Sequence, residues 1–382
     1  TLENKMNLND GLRDSLKSHF AWGKPRLDCF VAMLRALMNS RQMNLTLLAV
    51  HMDSDTKIAS RYRRMQRFFS QVFVNYNEVS HFIMGMFAFS GQHYYLTLDR
   101  TNWQWGKSNL NLLTLAVVYQ GAAIPVYWMI LNKRGNSNQR ERIALLQRFI
   151  SQFGSQNILG VLADREFIGG VWWKWLSSKA IPYLIRIKGK QLMTDKQGKA
   201  MPVRSLFANL KPGKQRILRH SCEVSGEWVW LSGSKLPSGK LLIVASNRYT
   251  ADSIETYRRR WEIENLFQCL KGRGFHMEAT HLTKLARIKK MMALLAIGFC
   301  WAHKVGEWKE KAIKPLKVKT HGRKQQSVFR YGLDYLTDLL TGKILGKVDS
   351  VRLLILLICP PQFMMVADGR MRLKPFSFNK DS

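Results

Sequence analysis

The order of helical and strand-like segments predicts a mixed α/β fold. Three observations carry that expectation: a three-strand meander from about residue 94, a helix followed by a strand that is apolar almost throughout, and a long β-rich stretch before a chemically loaded helix. A meander, a helix and a doubly buried strand form the opening order of a ribonuclease-H-like sheet. The expected architecture is therefore an α/β ribonuclease-H-like catalytic core with a β-rich insertion, flanked by helical N- and C-terminal domains.

Residues 1–90 read as helical and basic. Phe30, Val31, Leu34, Leu37 and Met38 recur at helix spacing, and Leu45 to Met52 makes a second segment. In the run from Ser60, Met65, Phe68, Phe69 and Val72 can pack inward while Arg61, Arg63, Arg64 and Arg67 remain available. The expectation is a DNA-contacting helical domain; an ordinary solvated basic face fits the same residues. Residues 91–189, rejoined by 248–300, are assigned to the core. Tyr94 to Asp99 is a short β run, and Asn111 to Gln120 and Ala122 to Leu131 are strands about a glycine turn. Gln139 to Phe153 is a helix with Ile143, Leu145, Leu146, Phe149 and Ile150 on one side. Asn157 to Asp164 is a central strand, Ile168 to Ser178 a helix and Tyr183 to Lys188 a strand. Residues 190–247 read as a β-rich insertion with turns at Lys211-Pro-Gly, Ser232-Gly-Ser and Pro237-Ser-Gly. Residues 301–382 form a basic, helical C-terminal region for DNA binding or dimerisation, with a loosely held ending after Pro360-Pro361.

Asp99 and Asp164 close the first and fourth strands. Where those strands run side by side and parallel, the two acids meet. The stretch from Tyr257 to Lys271 reads as one helix, on which Tyr257, Arg260 and Lys271 lie about 20°, 40° and 20° from Glu264. Ile263, Leu266, Phe267 and Leu270 form a separate face to bury. The presented stripe thus sets one carboxylate among two cations and a phenol, which suits a phosphodiester beside a metal ion. Ordinary helical ion pairs of Glu264 with Arg260 and Lys271 satisfy the same spacing. Carboxylates about 4 Å apart repel by about 4 kcal/mol at an effective dielectric near 20, so a cluster of Asp99, Asp164 and Glu264 calls for cations. Oxygen ligands without a Cys or His cluster favour two Mg²⁺ ions, with Mn²⁺ as a substitute. The chemistry expected is phosphoryl transfer on DNA.

Charge supports that partner. The chain has 382 residues, 60 Lys plus Arg against 26 Asp plus Glu and a net charge of +34, spread along its length. Such an excess points to a large polyanion, and nucleic acid is the natural one. A hydrophobic fraction of 46% supplies a core and excludes a disordered chain. Five scattered cysteines, Cys29, Cys222, Cys269, Cys300 and Cys359, suggest neither a zinc module nor a disulfide framework and fit a reducing cytosol. No signal-peptide pattern is read at the start, and the longest apolar runs, Met291 to Cys300 and Leu353 to Cys359, fall short of the ~18 residues that span a bilayer. No membrane partner is expected.

The spacing Tyr257, Arg260, Glu264, Lys271 resembles the Y-R-E-K motif of the IS-four family of bacterial insertion-sequence transposases. Leu98-Asp99-Arg100-Thr101 and Leu162-Ala163-Asp164-Arg165-Glu166-Phe167 resemble that family's two aspartate motifs, and the similarity covers most of the chain, including His321-Gly-Arg-Lys to Tyr331-Gly-Leu. The resemblance implies a DDE transposase with Asp99, Asp164 and Glu264 as metal ligands and cut-and-paste movement through a DNA hairpin. It implies that Tyr257, Arg260 and Lys271 grip end phosphates, and that a homodimer acts on transposon terminal inverted repeats and target DNA. It also implies a bacterial, cytoplasmic, nucleoid-associated protein. Relatives hold a flipped base with a tryptophan of the insertion region; Trp228 and Trp230 are the candidates, and a core position is the alternative for either. A structure-specific or restriction-type nuclease and a non-catalytic DNA-binding repressor are the competing readings.

Overall fold

The computed structural model of the chain describes residues 8–52, 54–106, 108–320 and 322–343, and the backbone of 363–365 and 371–373. The expected loose ending, the apolar run ending at Cys359, and His321 lie outside the described residues, apart from that short ribbon. Contacts divide the chain into two compact units, residues 1–88, 274–280 and 293–382, and residues 89–273 and 281–292.

The first unit is helical. It opens with α1 (Leu8–Lys17), α2 (Lys24–Ser40), α3 (Leu45–His51), α4 (Ile58–Gln71) and α5 (Tyr76–Met86). Pro25 starts α2 where its missing N–H costs nothing. The Asn44 side chain accepts from the backbone N–H of Thr46 and Leu47, and Asn75 accepts from Asn77, so two more helix starts are capped. Phe20, Trp22, Phe30, Phe68 and Phe82 form an aromatic core around which these helices close.

The second unit is built on one mixed sheet. Its strands are β1 (Tyr94–Trp105), β2 (Ser108–Tyr119), β3 (Ala122–Leu131), β4 (Ile158–Ala163), β5 (Tyr183–Ile187), β6 (Leu192–Thr194), β7 (Ala200–Pro202), β8 (Gln215–Val224), β9 (Glu227–Lys235) and β10 (Leu241–Ser246). Their order across the sheet is β3-β2-β1-β4-β5-β10-β9-β8-β6-β7. Gln120 and Gly121, both at positive φ, turn β2 into β3 by the tight two-residue route. Helix α6 (Gln139–Phe153) starts at a reciprocal capping box of Asn138 and Glu141 and buries Leu145, Leu146 and Phe149. The crossover it provides lets β4 run parallel to β1, and α7 (Gly170–Ser178), with Trp172 and Trp173 fully buried, does the same between β4 and β5. The β-rich segment continues this sheet through β10, which pairs antiparallel with β5.

Two expectations are corrected here: Ser232-Gly-Ser, read as a turn, is paired strand inside β9, and the helix carrying Glu264 is interrupted. Tyr257 to Lys271 is not a single α-helix: α8 (Ser253–Arg258) passes into a 3₁₀ turn, Arg259–Trp261, before α9 (Glu262–Leu270). At three residues per turn, those positions add about 60° of rotation relative to a continuous α-helix, so α8 and α9 present different faces. Helix α9 is fastened to the meander by the Glu262 carboxylate, which accepts from Tyr119 N–H at 2.6 Å, and by Asn265, which donates to the Gly121 carbonyl.

Candidate active site

The sheet places the two aspartates by register alone. Leu98 pairs with Ala163 and Ala163 with Ile185 across three adjacent parallel strands. The next residues along each strand are Asp99, Asp164 and Arg186, which therefore stand in a row; Asp164 follows the end of β4, whereas Asp99 does not close its strand as expected, because its pairing with Thr114 lies inside a β1–β2 ladder that continues to Trp105. Arg186 Nη1 lies 3.6 Å from Asp164 Oδ1. Each aspartate also turns one oxygen back on its own chain: Asp99 Oδ1 accepts from Arg100 N–H and Asp164 Oδ1 from Arg165 N–H, both at 2.7 Å.

Arg260 joins this pair to the helix. Its Nη1 is 3.0 Å from Asp99 Oδ2 and its Nη2 is 2.5 Å from Glu264 Oε1, with the guanidinium side chain only 7% exposed. The i, i+4 pairing anticipated as an ordinary helical contact thus exists, and the same guanidinium extends it to the strand end. Burial dominates at Asp99 and pushes its carboxyl up to about 6, against the opposing pull of Arg260 and the Arg100 N–H; the negative charges of Glu166 and Asp164 push in the same direction as burial. Desolvation would lower the Arg260 pKa, but Tyr257, Glu264 and Asp99 more than reverse it, so the guanidinium stays charged.

The remaining residues of the expected stripe do not share one solvent-facing stripe with Glu264. Tyr257 does not face solvent: it is buried in a core cluster with Val118, Leu162, Leu184, Val244 and Ile254, because the 3₁₀ turn directs α8 onto the sheet. Burial pushes its phenol well up. Arg260 stands over the Tyr257 ring, 5.9 Å from its centre. Lys271 ends α9, and its Nζ donates to the Asn102 carbonyl at 3.2 Å, three residues beyond Asp99 on β1. Trp228 is half exposed and Trp230 partly so, while Val229 and Leu231 between and after them are buried; the two rings share the outer face of β9.

In the helical unit the expectation for Arg61 is corrected. Its guanidinium donates to the carbonyls of Thr56, Ala49, Met52 and Ser54, closing the segment between α3 and α4. Arg64 donates to the Pro25 carbonyl, whereas Arg63 and Arg67 are exposed.

A family model described as the transposase DDE domain matches residues 91–301, more than half of the chain. The chain belongs to the transposase DDE domain family. Membership implies an enzyme that cleaves DNA and transfers strands. A solved structure of a piggyBac transposase synaptic complex with hairpin DNA is similar at 12% identity and a TM-score of 0.42, covering 95% of this chain and 83% of that chain. No curated protein matches the chain.

Transposase DDE domains generally use divalent metal ions. The donor set here is all carboxylate oxygen, the type that hard cations take. Asp99 and Asp164 fit such an ion in kind, and the largely buried Asp99 carboxylate is a group that a facing cation stabilises. Among the described residues no group of three or more His, Cys, Asp or Glu side chains is placed to hold a metal. Glu264 is tied to Asp99 through the Arg260 guanidinium, which supplies positive charge at that point. Arg100, Glu166 and Arg186 also belong to this site and are absent from the sequence-derived set. The signal for Arg186 was available: it is the single charged residue in the otherwise apolar strand Tyr183-Leu-Ile-Arg-Ile.

Proposed function

We propose that this transposase DDE domain protein is a metal-dependent, cut-and-paste DNA transposase of the IS-four type on a ribonuclease-H-like core, with Asp99, Asp164 and Glu264 as its acidic triad. The observation that supports it most is the placing of Asp99 and Asp164 side by side, one residue past the parallel β1–β4 ladder, with Glu264 bonded to the same Arg260 as Asp99. The strand order three-two-one-four-five at the start of the sheet agrees with that core. On this reading residues 1–90 bind DNA, 91–189 and 248–300 form the core, 190–247 are the insertion, and 301–382 bind DNA or make a homodimer.

Asp99 and Asp164 would hold Mg²⁺, with Glu264 as the third ligand; bound there, the ion activates an attacking oxygen and stabilises a leaving one at a phosphodiester. The chain's own residues do the rest. Arg260 holds Asp99 and Glu264 together by charge. Lys271, placed beside Asn102, and Arg186, beside Asp164, border the row of acids with cations suited to a phosphate. Arg63 and Arg67 offer exposed charge to the DNA backbone, and Trp228 and Trp230 a stacking face for an unpaired base. The substrate proposed is the pair of terminal inverted repeats flanking the gene, cut through a hairpin and joined to target DNA by a 3′-hydroxyl.

The test is a reaction of the purified protein with DNA carrying those flanking repeats, Mg²⁺ and a supercoiled target. Hairpin-ended fragments and covalent joining of the 3′ ends are the expected products. Cleavage without joining would make the protein a nuclease, and binding without cleavage a repressor.

A further inference from the structure

The parallel ladder between β1 and β4 ends at Leu98 and Ala163, one residue short of each aspartate, so backbone pairing does not reach the carboxylates. A different device joins the strands there. Arg100, which follows Asp99, donates from Nε to Glu166 Oε1 at 3.3 Å and from Nη2 to Glu166 Oε2 at 3.2 Å. Glu166 lies two residues after Asp164. One guanidinium thus engages both oxygens of one carboxylate, and the two side chains are only 14% and 18% exposed.

Both partners are themselves held. Arg100 Nη1 donates to Asn111 Oδ1 at 3.0 Å and Nη2 to Asn136 Oδ1 at 3.2 Å. Asn111 is buried, and its amide donates to the Lys133 and Gly135 carbonyls. On the other side, the Glu166 backbone carbonyl accepts from Arg142 Nη2 at 2.7 Å, and Arg142 is buried against Ser137 and the Phe167 ring. An exposed ion pair of two mobile side chains contributes little. This one is shielded and braced from both ends, which is the arrangement that fixes geometry.

We propose that Arg100 and Glu166 are positioning residues, a clip that sets the separation and orientation of Asp99 and Asp164 beyond the end of the ladder. It rests on the role proposed above for those two aspartates. Neither clip residue touches reacting atoms; both act through the residues beside them. Misplacing reacting groups by about 1 Å costs on the order of 100-fold in rate, and loss of outer partners of metal ligands costs about 10- to 100-fold in affinity or activity.

The experiment compares full-length protein with Arg100→Gln, Glu166→Gln and the double variant. It measures single-turnover cleavage of an end-bearing duplex, affinity for that duplex, Mn²⁺ binding by calorimetry without DNA, and thermal unfolding. Each single variant is expected to cut about 10- to 100-fold more slowly and bind Mn²⁺ about tenfold more weakly, with duplex affinity within about twofold of the parent. The double variant should be no worse than the worse single, because either change alone opens the clip. An additive double variant, or Glu166→Gln far more damaging than Arg100→Gln, overturns the clip and makes Glu166 an acid acting in its own right. Arg100→Lys and Glu166→Asp keep the charges while spoiling the fork; slower cleavage at an unchanged melting temperature supports the clip, and parental cleavage overturns it. Asp99→Asn separates the two levels: if it still cuts, the acidic triad itself is wrong, whereas a dead Asp99→Asn beside fully active clip variants defeats the clip alone.

Discussion

Replacing Asp99 by asparagine should change the stability of the metal-free protein relative to the parent by an amount that depends on pH. In the folded chain the Asp99 carboxyl keeps its proton to about pH 6, because burial outweighs the help of Arg260 and the Arg100 N–H; the ordinary value is 3.8. A raised folded value means that the unfolded chain releases this proton first. Between about pH 4 and pH 6 the native state binds more protons than the unfolded one, so stability falls as pH rises. At 1.36 kcal/mol per pH unit, the loss reaches about 3 kcal/mol and is complete above pH 6. Asparagine resembles the protonated acid and does not titrate. The stability difference, variant minus parent, should therefore climb by about 3 kcal/mol between pH 4 and pH 7 and then level off. Urea unfolding of both proteins in EDTA at pH 4, 5, 6, 7 and 8 measures it. A difference that stays flat, or that shifts in favour of the parent as pH rises, would show that the Arg260 ion pair and not desolvation governs Asp99, and would refute the reasoning.

Arg260→Gln takes the one guanidinium away from two carboxylates, and at pH 8 without metal it should cost about 3 kcal/mol, the usual cost of removing one partner of a buried pair. Millimolar Mg²⁺ should restore much of that loss and bind more tightly than to the parent; thermal unfolding with and without Mg²⁺ reads both, and a loss indifferent to Mg²⁺ would separate Arg260 from any metal site. In the helical unit, Arg63→Ala with Arg67→Ala should lower the salt dependence of duplex binding by about two charges, since each phosphate contact contributes a slope of about 0.9. Arg61→Ala should leave that slope alone and instead destabilise the fold by about 1 to 3 kcal/mol, because several carbonyls between α3 and α4 lose their donor. Fluorescence anisotropy across a salt series and urea unfolding distinguish the two.

Local signals in the sequence were strong where punctuation and periodicity agree. Strand β3 and helix α6 have the bounds expected, because the Gln120-Gly121 turn and the Asn138 to Glu141 box mark their starts. The meeting of Asp99 and Asp164 was legible for a topological reason: a crossover helix makes the fourth strand parallel to the first, and the register that pairs Leu98 with Ala163 sets the following acids side by side, although β1 runs on past Asp99 to Trp105. The helix with Glu264 was less so. Nothing in the apolar spacing of Ile263, Leu266 and Phe267 announces the 3₁₀ turn at Arg259–Trp261, and a uniform 100° per residue set Tyr257 on a solvent stripe when it lies in the core. Arg61 shows a different limit. A run of arginines gives charge, but which guanidinium is occupied by carbonyls depends on how the preceding segment turns. The Arg100 to Glu166 bond links residues far apart in sequence and follows only from the register of two strands.

The most direct test of the acidic triad is Mg²⁺-dependent cleavage of a duplex bearing the flanking repeat by Asp99→Asn, Asp164→Asn and Glu264→Gln, each measured beside its affinity for that duplex. All three should bind within about threefold of the parent and cut at least about 1000-fold more slowly, as removal of groups that act only on the transition state requires. Normal cleavage by any one of them would contradict its place in the triad, and normal cleavage by Asp99→Asn or Asp164→Asn would remove the aspartate pair on which the account rests.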